Sequence, residues 1–178
     1  MKTLKLIFIY QCLVWCTPLF AYDRPVIAYL YLETENFDIS RYGEGYQNRI
    51  GDVDVSRDIE VLSFEWGFNT SETAHSYPVR SPLVINKEID GSSPILVQAL
   101  LENRMVEGTL KLFRANYETG RMELFYTFRM TNARISDVSV KTMARNEGND
   151  LVAVESVSIT YGQLEMESNR GTVVTHGR

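Results

Sequence analysis

Alternation of apolar and polar residues with a period of two dominates the chain after residue 26 and predicts short strands. "VIAYLYLE" (26–33) opens the series, "DIEVLSFEWGF" (58–68) follows, and "SPLVINKEI" (81–89) is third. In 58–68 the pattern sets Ile59, Val61, Ser63 and Glu65 on one face and Glu60, Leu62, Phe64 and Trp66 on the other, with Gly67 marking a bulge at its end. "EGTLKLFRANYETGRMELFYTFRMTNARI" (107–135) predicts a long hairpin turned at "ETGR", where Gly120 supplies a positive φ. Its return strand presents Met122, Leu124, Tyr126, Phe128 and Met130 on one face. Two further strands are expected over 133–143 and 151–167, joined by the polar loop "ARNEGND", and the tail from 168 to 178 is expected to be loose.

One segment breaks the period. "KEIDGSSPILVQALLEN" (87–103) predicts a short helix over about residues 93–103. Ser93 suits the N-cap, because its hydroxyl can accept from a free backbone N–H, and Pro94 suits the first helical position. Ile95, Leu96, Val97, Ala99, Leu100 and Leu101 then occupy most of the circumference. A helix this apolar must be covered on most sides, by its own sheet and by a neighbour. The expected fold is mainly β, a compact antiparallel β-barrel or sandwich with this one helix.

Composition changes the picture at the N-terminus. Leu6 to Tyr22 contains no charged residue and follows Lys2 and Lys5. Its core "LIFIYQCLVWC" has the length of a signal-peptide h-region, interrupted by Gln11 and ended by Pro18. Residues 1–21 are therefore expected to be a signal peptide cut after Ala21, 22–167 the folded domain and 168–178 the tail. Both cysteines, Cys12 and Cys16, lie in the leader, so the mature domain has no thiol for a disulfide, nucleophile or metal ligand. The 18 Lys and Arg fall to 16 without Lys2 and Lys5, against 23 Asp and Glu, a balance of −7. Nucleic-acid binding needs the opposite surplus.

Candidate chemistry is sparse. His176 lies two residues from the C-terminus, and His75 lies in "TSETAHSYPVR", a loop by composition. The chain has no G-x-S-x-G, H-E-x-x-H or P-loop pattern. Asp52, Asp54 and Asp58 cluster, yet the glycine of a calcium loop is missing and the interleaved valines read as an acidic face leading into a strand. The expectation is no catalytic, cofactor-binding or metal-binding residues, and no enzyme.

The order of "IAYLYLE", "IEVLSFEWGF", "PLVINKEIDGSSPILVQAL", the long hairpin and "VESVSITYGQLEME" resembles the Hcp family, the haemolysin-coregulated tube proteins of type VI secretion. The most specific pieces are Lys87-Glu88-Ile89-Asp90 running into Ser92-Ser93-Pro94 and "LKLFR…G…FYTFRMTNARI", and the likeness spans residues 26 to 167. The resemblance implies a small β-barrel with one helix on its side and a homohexameric ring with an open channel. It also implies stacking into a secretion tube, small effector proteins in the lumen and a structural role. It places subunit or ring contacts on the loop from Asn69 to Ser81, at Thr70, Ser71, Glu72, His75, Tyr77 and Arg80. Strands near 26–33 and 151–161 are expected as edges for side-to-side contact. The leader departs from the family, whose subunits assemble in the cytoplasm, and no Met lies between residues 2 and 104. The product is expected to be secreted, by the type VI or the Sec route. The alternative function is a Sec-exported Hcp-like binding protein of the periplasm or exterior, outside any tube.

Overall fold

The computed structural model describes residues 25–69, 79–144, 151–169 and 171–176. In chain order the strands begin with β1 (Ile27–Thr34), β2 (Phe37–Asp38), β3 (Arg49–Ile50), β4 (Val53–Asp54), β5 (Ile59–Val61) and β6 (Ser63–Glu65). Then come β7 (Phe68–Asn69), β8 (Val79–Arg80), β9 (Leu83–Glu88), helix α1 (Ser93–Leu101) and β10 (Val106–Ala115). β11 (Met122–Ala144), β12 (Leu151–Thr160), β13 (Gln163–Ser168) and β14 (Gly171–His176) complete the series.

Antiparallel pairing runs β6–β9–β12–β11–β10–β1, and β1 pairs in turn with β5. Only Leu62 separates β5 from β6, so the circuit closes into a barrel. Closure removes the open edges that a flat sheet would leave. Leu62 donates its N–H to the Asn86 carbonyl at 2.8 Å, turning the chain from one wall to the other. The inward face switches there. Ile59 and Val61 are buried before the switch, whereas Phe64 and Trp66 pack on the core after it and Leu62 is 51% exposed. The uniform alternation expected over 58–68 therefore holds for each half and breaks between them, because the two halves serve different walls.

The expected hairpin forms, with Gly120 at φ +67 and the Asn116 Oδ1 accepting the N–H groups of Glu118 and Thr119. Its return strand and the separate strand expected over 133–143 are one element. β11 continues for 23 residues, with Asn132 at φ +50 providing the bend. Gly162 sits against this bend, and an added Cβ would come within 2.9 Å of the Asn132 Cβ. Beyond the bend β11 pairs with β12, while before it β11 pairs with β13.

The main core joins Leu30, Leu32, Ile85, Leu110, Met130, Val157 and Ile159 inside the barrel to Leu96 and Ala99 of α1. A second cluster, Tyr29, Ile50, Val55 and Phe113, sits under the β3–β4 hairpin. Beside it Asp58, expected on an acidic face, is buried and ion-paired with Lys111 at 2.7 Å. Burial pushes the Asp58 carboxyl up, a shift only partly countered by Lys111.

The tail also differs from expectation. Residues 171–176 form β14, paired with β13 from Gln163↔His176 to Ser168↔Gly171. Thr172, Val173, Val174 and Thr175 are β-branched and suit a pleated strand even without an apolar alternation. The leader, residues 1–21, lies outside the described residues.

Candidate subunit interface

Two features bear on assembly: the flank of α1 with the network behind it, and the base of the loop between β7 and β8.

The helix is held by an ionic network that begins on β9. There the inward positions are Leu83, Ile85 and Lys87, so strand alternation drives an ammonium into the core. Lys87 has no solvent exposure. Its Nζ donates to Asp90 Oδ1 at 2.8 Å, the Glu88 carbonyl at 2.6 Å, Ser93 Oγ at 3.2 Å and Glu155 Oε2 at 3.3 Å. Ser93 donates its hydroxyl to Glu155 Oε2 at 2.9 Å and accepts the Asp90 N–H at 3.2 Å. Asp90 also accepts the Ser92 N–H and hydroxyl on Oδ1, and the Glu44 N–H on Oδ2. Burial pushes the Asp90 carboxyl up, but hydrogen bonds from Lys87, Ser92 and Glu44 outweigh it and hold the group below its ordinary range. The amine thus ties β9 to the start of α1 and to β12, and Asp90 extends the network to the 43–46 loop.

Ser93 was expected to cap the helix. It is instead the first helical residue, its hydroxyl is committed to Glu155, and Ser92 occupies the cap position without a side-chain bond to the helix. Pro94 sits in the first turn, where a missing N–H leaves no intrahelical bond unmade. Gly91 is required by a close approach, since an added Cβ would lie 2.7 Å from the Tyr42 carbonyl oxygen.

α1 packs against β11 with Leu96 and Ala99 buried, while Ile95 and Leu100 are half-buried. Its other flank is open. Val97 and Leu101, one turn apart, are exposed, Leu101 to 79%, as is Met105 just beyond the helix. That is apolar surface on a side that no other element covers among the described residues.

At the loop base β7 and β8 pair through Phe68↔Arg80 and Asn69↔Val79. The Trp66 indole N–H donates to the Tyr161 hydroxyl at 2.6 Å, and that hydroxyl donates to the Ser81 carbonyl at 3.2 Å. Arg80 donates to the Gly162 carbonyl at 3.1 Å and lies over the Tyr161 ring, 5.7 Å from its centroid. Of the six loop residues singled out from the sequence, Arg80 is thereby engaged within its own subunit. Thr70, Ser71, Glu72, His75 and Tyr77 lie outside the described residues.

The expected side-to-side edges are not edges. Residues 26–33 fall on β1, flanked by β10 and by β5 and β2. Residues 151–161 fall on β12, flanked by β11 and β9. Barrel closure through β5 and β6 consumes both.

Among the described residues, no group of three or more His, Cys, Asp or Glu side chains could hold a metal ion. A surface groove of about 440 Å³ is lined by Glu33, Thr34, Glu35, Met105, Val106 and Glu107, and its one hydroxyl, that of Thr34, donates to the Phe37 carbonyl at 3.2 Å. Glu155 carries no sequence signal of its own, and Lys87 stands out in the sequence only as part of the Lys87-Glu88-Ile89-Asp90 string, not as a buried amine. The signal for its burial was present, as a lysine on the inward parity of an apolar strand.

Residues 31–167 match the family described as "Type VI secretion system effector, Hcp". Among solved structures, an Hcp protein crystal structure aligns with a TM-score of 0.72 at 17% identity, over 84% of this chain and 99% of that one. The secreted protein Hcp3 from Pseudomonas aeruginosa aligns at 0.69 and 19% identity, covering 86% and 99%. An Hcp1 mutant from the Escherichia coli EAEC 042 pathovar gives 0.65 and 18%, covering 85% and 97%. At these identities the structures establish the shared fold. No curated protein matches the sequence.

Proposed function

This chain belongs to the Hcp family of type VI secretion effectors and is a secreted tube subunit; on that premise we propose that six copies close into a ring around an open channel. The observation that carries this reading is the uncovered apolar flank of Val97, Leu101 and Met105. A cyclic contact supplies each flank with a neighbour and repeats the same interface around the ring. The network behind α1 fixes the helix to three other segments, so the flank meets its neighbour as a rigid surface and little ordering entropy is lost.

The rings stack into a tube whose lumen carries small effector proteins. The loop residues Thr70, Ser71, Glu72, His75 and Tyr77 reach the next subunit or ring, with Arg80 anchoring the base from which they extend. The role is structural, with no chemistry and no cofactor of its own.

The leader favours a second reading, a Sec-exported Hcp-like protein that binds a ligand outside any tube. Secretion separates the two. The full chain, expressed in a host with a working type VI apparatus, should reach the medium in quantity. Disabling the contractile apparatus should cut that amount at least tenfold. Undiminished export that stops only when Sec is blocked would overturn the tube reading.

A further inference from the structure

β14 ends the described sheet, and its outer edge has no strand partner among the described residues. Such an edge presents unpaired N–H and C=O groups that recruit another strand, and chains commonly guard it with charge, proline or a bulge. β14 has none of these. "GTVVTH" contains no proline and no Lys, Arg, Asp or Glu, and it pairs with β13 over six residues without a register shift. Val173 and Val174, on opposite faces, are 57% and 42% exposed, so neither face is covered. Among the described residues, the far half of β11 also lacks a strand neighbour on the side away from β12, and it carries exposed Asp137 and Lys141 as guards. β14 also lies beyond residue 167, where the family match ends.

We propose that β14 pairs antiparallel with β14 of a second copy across a two-fold axis, so that one sheet runs through both subunits. An antiparallel edge contact keeps each face of the sheet continuous. A symmetric register therefore sets Val173 beside the partner subunit's Val173, or Val174 beside the partner subunit's Val174. In both registers the residues of β14 that face one another include no Lys, Arg, Asp or Glu. Charge selects this occupant. The domain carries a balance of −7, and β13 next to the edge bears Glu165 and Glu167, so identical chains repel over much of their surface. The neutral strip of β14 lets them meet without like charges directly opposed. A charged partner would gain no steering from a neutral strand. The contact does not use the α1 flank, and it doubles whichever unit carries it, monomer or ring.

The test uses the full chain with Cys12→Ser and Cys16→Ser, so that an added cysteine is its sole thiol. Under mild oxidation, Val173→Cys or Val174→Cys should convert most of the chain to a covalent dimer, since facing residues of paired strands lie within disulfide reach. Val140→Cys, equally exposed on the far half of β11, should stay monomeric on a denaturing gel. Without any added cysteine, the double change Val173→Lys and Val174→Lys should halve the native mass and leave the unfolding midpoint unchanged. A wild-type dimer that becomes a monomer in the lysine variant would uphold this contact and refute the ring. A sixfold mass in both proteins, with no cross-link at 173 or 174, would refute this contact and leave the ring standing. Equal cross-linking through Val140→Cys would show random collision and overturn the pairing.

Discussion

Lys87 surrenders all of its hydration, and four acceptors replace the water: two carboxylates, a hydroxyl and a carbonyl. Removing the amine would strand Asp90 and Glu155 together as like charges in the core. Lys87→Met should therefore cost about 3–5 kcal/mol in urea unfolding. Lys141→Met, at an exposed site, should stay within about 0.5 kcal/mol. The depressed Asp90 carboxyl sets a pH dependence. A group held below its unfolded value stabilises the fold above that value and loses the contribution as pH falls through the folded one. Asp58 works oppositely, because its raised carboxyl favours the fold under acid conditions. Unfolding of wild type and Asp90→Asn should thus differ most near neutrality and converge below the ordinary carboxylate range. A gap that is constant or widens with acid would contradict the assignment. The residues were legible as a string, Lys87-Glu88-Ile89-Asp90 before Ser92-Ser93-Pro94. Their reason was not, because the acceptor that completes the set, Glu155, is supplied by a strand 68 residues along the chain.

At the scale of elements, local pattern gave the strands and the helix, and tertiary pairing decided where they bend. The switch at Leu62 is invisible to periodicity, since each half keeps its own alternation and only the partners, β1 and β9, differ. The hairpin's return strand and the strand over 133–143 read as two elements, yet pairing with β10 up to Ala133 and with β12 from Arg134 carries β11 through Asn132 as one. The edges expected at 26–33 and 151–161 disappeared for a related reason: whether a strand is an edge depends on its neighbours in space. The lead-in to α1 has a sharper constraint, because Gly91 passes against the Tyr42 carbonyl. Gly91→Ala should destabilise by about 1–3 kcal/mol through overpacking. Gly120→Ala, where nothing crowds the added carbon, tests the contrasting case of strain at positive φ alone and should cost about 1 kcal/mol. Thermal or urea midpoints of the two variants, read side by side, check both values.

For the whole molecule, the barrel consumes the edges expected at 26–33 and 151–161, and among the described residues the α1 flank and β14 are left uncovered. The sequence indicated the first through a helix apolar around most of its circumference and gave no indication of the second. Leu101→Asp should leave the monomer's unfolding midpoint unchanged, because the side chain is exposed to 79%, and should abolish the ring. Sedimentation of the variant beside wild type checks this, and an unaltered assembly would remove α1 from the interface. The most direct measurement is native mass spectrometry of the purified chain, with negative-stain images of the same sample. Copies in multiples of six, seen as annular particles, are the predicted result. A chain that stays monomeric at high concentration would contradict the ring, and with it the role assigned to the exposed helix.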